Sequence, residues 1–356
     1  MNACKSGKGV KMRKRLPRYG FLRGNKKKAY DFCFMVHDEM VMIIKYGEKT
    51  IFQHQITSVD GKHIPTECTG EALLRWLSNN GYEKDVALIL YKQSIIALLS
   101  DCLHFFYEAL QNLKKSKISV AYSLLRKPLK ENLFYMEWML AEPEEYFKYM
   151  LNEELSVPPV EDFSPERKLK IIERAYEKVG GTPLMPPKLM YDIRYNKNCH
   201  YGIEPLCQKA THLITSFRNY KTTPQNFNFI FSNPQNLEEQ LVYAFNVLPF
   251  FLVHTLQVVN RLISDFSEWN DPSYVNKTEL RILFGLLLLK KDSGPSVRSM
   301  LNAMIKKMNK SNLHCTGCNE KIRFNQTILE MISIGGIIEC KKCGELISIY
   351  DIGEDS

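Results

Sequence analysis

The chain has 356 residues, of which 45% are hydrophobic and 24% charged, a composition typical of a globular protein with two or three compact units. Its net charge is +9, but residues 1–28 alone hold eleven basic side chains and no acidic one, which leaves 37 basic and 39 acidic residues elsewhere. The excess positive charge therefore belongs to an N-terminal arm, and this excludes a basic surface that covers the whole molecule.

Residues 1–30 predict a basic, disordered arm. Lys and Arg in such a run attract RNA or DNA, because each phosphate that they neutralise releases condensed counterions. An arm without acidic residues also resembles an organellar transit peptide, and a solvated tail without a partner is the third interpretation. All three interpretations stay open at this point.

Residues 31–68 predict a small β-containing segment, and residues 69–310 predict a helical domain. The first range has short β-like patches at 34–36, 40–44 and 50–54, with a turn at Asp60-Gly61. In the second range, apolar residues between 85 and 113 recur mostly at spacings of three and four, which indicates a long helix with one apolar stripe. The predicted fold class is mainly α.

Residues 241–259 are apolar enough to resemble a membrane span. They include Asn246, His254 and Gln257, whose polar groups are costly in lipid. We therefore predict a buried core helix and no membrane association. Lone cysteines beside C-x-x-C pairs are typical of a reducing compartment, and no apolar core follows the N-terminal charges. We expect a cytoplasmic protein without a signal peptide.

Four cysteines near the C-terminus form two C-x-x-C pairs separated by 21 residues: Cys315, Cys318, Cys340 and Cys343. Two such pairs supply four thiolates for a closed tetrahedral site, which leaves no position for an activated water. The pattern predicts one structural zinc ion in a ribbon of three strands over residues 311–356, with strands near 322–329, 331–338 and 346–352. A unit this small needs the metal for much of its folding energy.

Residues 124–134 place several charged side chains in an otherwise apolar helix that Pro128 interrupts. In one interpretation Pro128 occupies the first turn of a new helix, where Glu131 interacts favourably with the helix dipole. In the other, the proline opens backbone carbonyls to a ligand, and Arg126 and Glu131 form a polar site.

The same segment, Leu-Leu-Arg-Lys-Pro-Leu-Lys-Glu-Asn-Leu, belongs to a helical pattern over residues 85–265 that resembles bacterial HEPN-type proteins. HEPN ribonucleases pair an Arg with a His a few residues later, and Arg194 and His200 match that motif. The resemblance implies metal-independent RNA cleavage at a dimer interface, in a toxin or antiviral defence role. His200 would then act as general acid or base, and Arg194 would stabilise the developing charge.

The chain lacks the P-loop, dinucleotide-binding and hydrolase-elbow motifs, which argues against those chemistries. Three hypotheses remain, of which the small-ligand site at Arg126 and Glu131 is the third. The first is a zinc-binding, nucleic-acid-associated protein, with the HEPN-like ribonuclease as its enzymatic form. The alternative is a non-enzymatic module that binds a protein partner, or a second copy of itself, and that the zinc ribbon braces.

Overall fold

The computed structural model describes residues 22–53, 70–151, 156–224, 227–228, 234–267 and 272–352. These residues are mostly α-helical, which confirms the predicted fold class. The helices are α1 (Asn25–Gly47), α2 (Glu71–Asn79), α3 (Glu83–Lys114), α4 (Ile118–Lys127), α5 (Leu133–Ala141), α6 (Pro143–Leu151), α7 (Pro165–Lys178), α8 (Pro187–Tyr195), α9 (Glu204–Thr211), α10 (Pro234–Ser264), α11 (Pro272–Lys290), α12 (Pro295–Met308) and α13 (Gln326–Gly335).

Short elements complete this list. A π-helical turn, Pro128–Asn132, joins α4 to α5, and 3₁₀ turns cover Val160–Asp162 and Arg218–Tyr220. Two strands, β1 (Ile337–Glu339) and β2 (Leu346–Ser348), pair in antiparallel register, with Ile338 opposite Ile347.

The β-containing segment predicted for residues 31–68 is wrong where the structure describes it, because residues 25–47 form α1. The buried side chains Phe32, Val36, Met40 and Ile43 recur every three or four residues and so lie on one helical face. Apolar runs of this length suit a buried strand or a buried helix equally well, and the packing partners decide between them. Residues 54–69 lie outside the described part, as do residues 1–21 of the arm, whereas 25–30 begin α1.

Helix α10 runs through the core of the helical body. Its most apolar 18-residue window is 78% buried, against 39% for the corresponding window of α3; both helices are long and apolar enough to span a membrane. Phe251, Leu252 and Val259 of α10 are covered by neighbouring helices. Residues 241–259 therefore form the predicted core helix.

A second apolar core lies at the C-terminal end. It combines Phe284 of α11 and Leu301 of α12 with Leu329 of α13, Ile338 and Ile347. The predicted three-stranded ribbon is wrong in one respect, since most of residues 322–338 form α13 and not two strands. The side chain of Asn325 accepts a hydrogen bond from the Ile328 N–H (3.0 Å) and starts this helix.

Candidate metal centre and buried polar network

Two tight turns, residues 315–320 and 340–345, bring the four predicted cysteines together, and we call these turns the knuckles. The four Sγ atoms all lie within 4.8 Å of one another. Cys315 Sγ is 3.6 Å from Cys343 Sγ, and Cys318 Sγ is 3.7 Å from Cys340 Sγ. These separations are far longer than a disulfide bond of about 2.05 Å. A regular tetrahedron of thiolates at about 2.3 Å from zinc has edges of about 3.8 Å, so the sulfur atoms fit one such ion.

The two knuckles have the same backbone geometry. The N–H of Cys315 bonds to the carbonyl of Glu320 (2.9 Å), and the N–H of Cys340 bonds to the carbonyl of Glu345 (2.8 Å), five residues on in each case. The fifth residue of each knuckle, Asn319 or Gly344, has a positive φ of 57° or 78°. Only Gly and Asn adopt this conformation readily, so both turns are encoded locally.

The residue before each knuckle also pairs with the residue after it. His314, which precedes the first knuckle, forms a β-bridge with Lys321, and Glu339, which precedes the second, pairs with Leu346. The side chain of His314 bonds to the Asn312 carbonyl (2.7 Å) and does not join the cluster. Each knuckle is thus the tip of a short hairpin, and four thiols form the whole ligand set among the described residues.

Backbone N–H groups also face the sulfur atoms. Those of Cys343 and Lys342 bond to the thiol of Cys340 and lower its pKa to about 7. At Cys318 and Cys343 a backbone hydrogen bond also acts to lower the pKa, but burial and the neighbouring thiols outweigh it and raise the pKa of both. A metal binds the thiolate form of cysteine, so the hydrogen bonds to Cys340 prepare that ligand. The four cysteines could therefore hold a metal ion in a closed, structural coordination sphere.

Arg281 of α11 joins the C-terminal core to the helical body. Its guanidinium is buried and donates to Glu39 of α1 (2.6 Å), to the hydroxyl of Tyr350 (3.1 Å) and to the Ser333 carbonyl of α13 (3.3 Å). Tyr350 also stacks on Tyr274, with ring centroids 4.9 Å apart. We call Arg281, Glu39, Tyr274 and Tyr350 the Arg281 junction. It fastens the chain just after β2 to α1 and α11.

A cleft of about 890 Å³ opens beside this junction. Glu39 and Tyr274 belong to both, and the apolar side chains of Met42 and Tyr46 on α1 are exposed at the cleft. The lining comes from α1, α10, α11 and the end of α7. Clefts of this volume, with apolar walls and a few polar groups, are common binding sites.

A second cluster of polar groups is buried inside the helical body. Arg194 of α8 is fully buried and donates from Nη1 to both carboxylate oxygens of Glu137 on α5, at 2.7 and 2.8 Å. His254 of α10 places Nε2 3.0 Å from the same carboxylate and Nδ1 2.8 Å from the hydroxyl of Thr182. Thr182 donates in turn to Gln257, which lines the cleft. We call these five residues the Glu137 network.

Opposing effects act on the carboxyl group of Glu137. Burial alone would raise its pKa, but the charge of Arg194 and the contact with His254 outweigh burial and hold that pKa below its usual range. Burial likewise acts to lower the pKa of Arg194, and the Glu137 charge more than offsets this. Glu137 and Arg194 therefore form a buried, hydrogen-bonded ion pair.

The π-helical turn is bonded to the side chains of Arg194 and Tyr195. Residues Pro128–Asn132 form this turn, in which the Leu133 N–H donates to the Pro128 carbonyl and Pro128 itself has no N–H to donate. Arg194 Nε donates to the Leu129 carbonyl (2.6 Å), and the Tyr195 hydroxyl donates to the Lys130 carbonyl (2.8 Å). Two carbonyls of the π-helical turn thus accept hydrogen bonds from side chains of α8.

Neither interpretation of Pro128 fully describes the structure, because the proline begins a π-helical turn inside a continuous helical segment. The predicted pair does meet: Arg126 Nη1 lies 3.1 Å from Glu131 Oε1, with each side chain 34% exposed, and Arg126 Nη2 lies 3.5 Å from Glu161. Both partners are paired within the chain, so this placement is that of a surface ion pair.

The predicted catalytic residues lie in different environments. Arg194 is buried in the Glu137 network, whereas His200 is exposed and packs edge-on against Tyr201, with ring centroids 4.9 Å apart. A guanidinium already bonded to a carboxylate, a carbonyl and a hydroxyl is not presented to a phosphate. The catalytic role of this pair stays a prediction, and the arrangement does not favour it.

Sequence reasoning missed Glu137 and Arg281. Glu137 is the single charged residue in the apolar stretch Leu133–Ala141, which is a usable signal, because a charge in such a stretch must be paired when it is buried. Arg281 has no comparable signal, since Lys277, Glu279 and Lys290 also lie on α11.

No protein-family model, no curated protein and no solved structure matched the chain in the comparisons with known proteins.

Proposed function

We propose that the protein is a zinc-binding interaction protein, in which the metal braces the wall of a cleft that receives a protein partner. The observation that carries this proposal is the Cys₄ cluster, whose four Sγ atoms lie within 4.8 Å of one another at the tips of two equivalent hairpins. With four thiolate ligands the coordination sphere is closed, so the ion would be structural. We place this activity in the cytoplasm, where thiols stay reduced.

The metal centre and the cleft are connected through a short series of contacts. Cys343 of the second knuckle is followed by β2 and then by Tyr350, whose carbonyl accepts a hydrogen bond from Lys277 (2.7 Å). Tyr350 stacks on Tyr274, and the hydroxyl of Tyr274 donates to Glu39 (2.9 Å). Tyr274 and Glu39 line the cleft. Loss of zinc would release the hairpin and, with it, the Arg281 junction.

The exposed surface at the cleft suits a protein partner. Tyr46 is 59% exposed, and Met42 and Tyr274 are each 39% exposed. Aromatic residues and methionine are enriched at the centres of protein interfaces, where they fill pockets on the partner. The amide side chain of Asn260 at the same cleft adds a hydrogen-bonding group.

Zinc content is the first test. Native mass spectrometry of the purified chain is expected to show one zinc ion, and Cys315→Ser is expected to abolish it. Cys199→Ser is the matched control, because Cys199 is a buried cysteine outside the cluster. A wild-type protein without zinc, or a Cys315→Ser variant that retains it, would contradict the proposal.

Binding at the cleft is tested separately with a photo-crosslinking amino acid at Tyr46. Tyr107 on α3 is the control position, since it is 44% exposed but does not line the cleft. We expect a protein adduct, with a partner or with a second copy of the chain, at position 46 only, and its loss in the Cys315→Ser background. Equal adducts at both positions, or none, would refute the cleft as an interface.

The basic arm supports a second candidate function, association with RNA or DNA, because residues 1–28 hold eleven basic side chains and no acidic one. The HEPN-like form of this candidate adds cleavage by Arg194 and His200. An RNA cleavage assay on the zinc-loaded protein tests it beside His200→Ala. Cleavage by the wild type alone would establish the nuclease.

A further inference from the structure

One stretch of the described surface presents exposed positive charge. From 193 to 237 the sequence has five Lys and Arg residues and a single acidic residue, Glu204. The side chain of Glu204 is 2% exposed and pairs with Lys130 at 2.7 Å. Asp192, which directly precedes this stretch and lies near Tyr201, is buried and pairs with Lys188 (2.5 Å). Among the described residues of this stretch, the exposed charged side chains, including Lys197, Arg218 and Lys221, are therefore all cationic.

Two loops meet at this surface. The first, residues 196–203, follows α8, and the second contains the 3₁₀ turn Arg218–Tyr220. Asn219 Nδ2 donates to Asn198 Oδ1 across them (2.9 Å), and Lys197 Nζ lies 5.7 Å from the centre of the Phe217 ring. Lys197, Arg218 and Lys221 thus lie on adjoining loops.

Hydrogen bonds hold both loops in place. Thr215 Oγ1 donates to the Tyr220 carbonyl (2.6 Å), and the Thr222 N–H donates to the Thr215 carbonyl (2.9 Å), which closes the second loop. In the first loop, the Ile203 N–H donates to the Ile193 carbonyl (2.9 Å). A ligand that binds here would meet a preorganised surface and would not have to order it.

Aromatic rings accompany the positive charge. Tyr201 is 45% exposed and contacts the exposed ring of His200, and Phe217 stacks on Tyr220 with ring centroids 5.0 Å apart. Lys and Arg neutralise phosphates, whereas exposed aromatic rings stack on unpaired bases, and proteins that bind single strands combine the two. An acidic peptide or an anionic membrane would use the charge but offers no bases to stack on Tyr201.

We propose that the surface formed by Lys197, His200, Tyr201, Arg218 and Lys221 binds single-stranded nucleic acid. Binding is assigned here without cleavage, and it uses neither the metal centre nor the cleft. The proposal therefore stands apart from the zinc-dependent interaction, and zinc content measured in the same samples keeps the two distinguishable.

The test is fluorescence anisotropy with a labelled 15-nucleotide oligouridine and the full-length, zinc-loaded chain. We expect the triple variant Lys197→Ala/Arg218→Ala/Lys221→Ala to bind at least about tenfold more weakly. The slope of log affinity against log salt should become shallower by about two, because each phosphate contact to a single strand contributes about 0.7. Tyr201→Leu keeps an apolar side chain but loses the ring, and we expect at least about fivefold weaker binding from lost stacking.

The matched control is Lys84→Ala/Lys306→Ala/Lys307→Ala, which removes the same charge from exposed positions on α3 and α12. It should change the affinity less than about twofold, and circular dichroism should show that all variants fold. Equal losses in both triple variants, or no loss in either, would overturn the proposal and leave binding to the N-terminal arm. Loss of binding to phosphatidylserine vesicles by the first triple variant, with RNA binding unchanged, would also overturn it and assign the surface to membranes.

Discussion

Arg194→Met tests whether the Glu137 network is structural. The guanidinium of Arg194 is fully buried and donates to both Glu137 oxygens, to the Leu129 carbonyl and to the Tyr195 hydroxyl. Methionine has a similar length but no donor, so it would leave a buried carboxylate with His254 as its remaining side-chain partner. Breaking a buried ion pair in this way costs about 3–5 kcal/mol. We expect the free energy of unfolding to fall by about that amount.

Urea denaturation followed by circular dichroism measures the change. His200→Ala is the matched comparison, because His200 is exposed and its loss should alter the free energy of unfolding by less than about 0.5 kcal/mol. The double variant Arg194→Met/Glu137→Leu removes both charges and should be more stable than Arg194→Met alone, since no unpaired charge is then buried.

The result that would refute this reasoning is a free energy of unfolding for Arg194→Met within about 1 kcal/mol of the wild type. A double variant less stable than Arg194→Met would refute it as well.

The same variants separate structure from catalysis. If Arg194 and His200 act together on RNA, Arg194→Met and His200→Ala should both fold normally and lose cleavage. If the role of Arg194 is structural, Arg194→Met alone should lower the free energy of unfolding.

Three further predictions concern metal, pH and packing. A chelator should lower the midpoint of thermal unfolding of the wild type but leave Cys315→Ser unchanged, as seen by differential scanning calorimetry; a shift in both would mean that the chelator acts elsewhere. Because the pKa of Glu137 is lowered in the folded state, its carboxylate stabilises the fold above the unfolded pKa of about 4.3, and this contribution is lost as the pH falls through the folded pKa. The stability difference between wild type and Glu137→Gln should thus be constant above about pH 5 and shrink in more acidic urea titrations, and a difference that grows in acid would contradict the assignment. Gly285→Ala should destabilise by about 1–3 kcal/mol, because the added Cβ would overlap the ring of Phe32 on α1; Phe32→Leu should relieve part of this in the double variant, and additive losses would argue against the clash.

Local chemistry explains which predictions succeeded. The four metal ligands are encoded by two short C-x-x-C turns, and each turn has a Gly or Asn at the position that needs a positive φ. The mainly α class follows from apolar periodicity in long segments such as α3 and α10, where many turns repeat the same signal. These features depend on residues that are close together in the sequence, so the sequence alone was sufficient to predict them.

The errors arose where short apolar runs had to be assigned. Residues 34–44 and 322–338 contain β-branched and aromatic residues that suit a strand, yet they lie in α1 and largely in α13. In α1 the choice was made by α10 and α3, which cover one helical face, and in α13 by the Asn325 cap and the second apolar core. Tertiary packing overrode local preference in α1, whereas in α13 it acted together with a local helix-start signal, the Asn325 cap.

The sequence by itself determined that this protein is mainly helical and that four cysteines form one cluster near its C-terminus. The tertiary structure alone decided that Arg194 pairs with Glu137, 57 residues away, and that Arg281 pairs with Glu39, 242 residues away. The physical reason is that a buried charge has to find a partner in space, and which partner it finds depends on how the helices pack. For Arg194 that partner lies inside the protein, which is why a residue that matched a catalytic motif in the sequence joins α8 to α5 and to the π-helical turn in the fold.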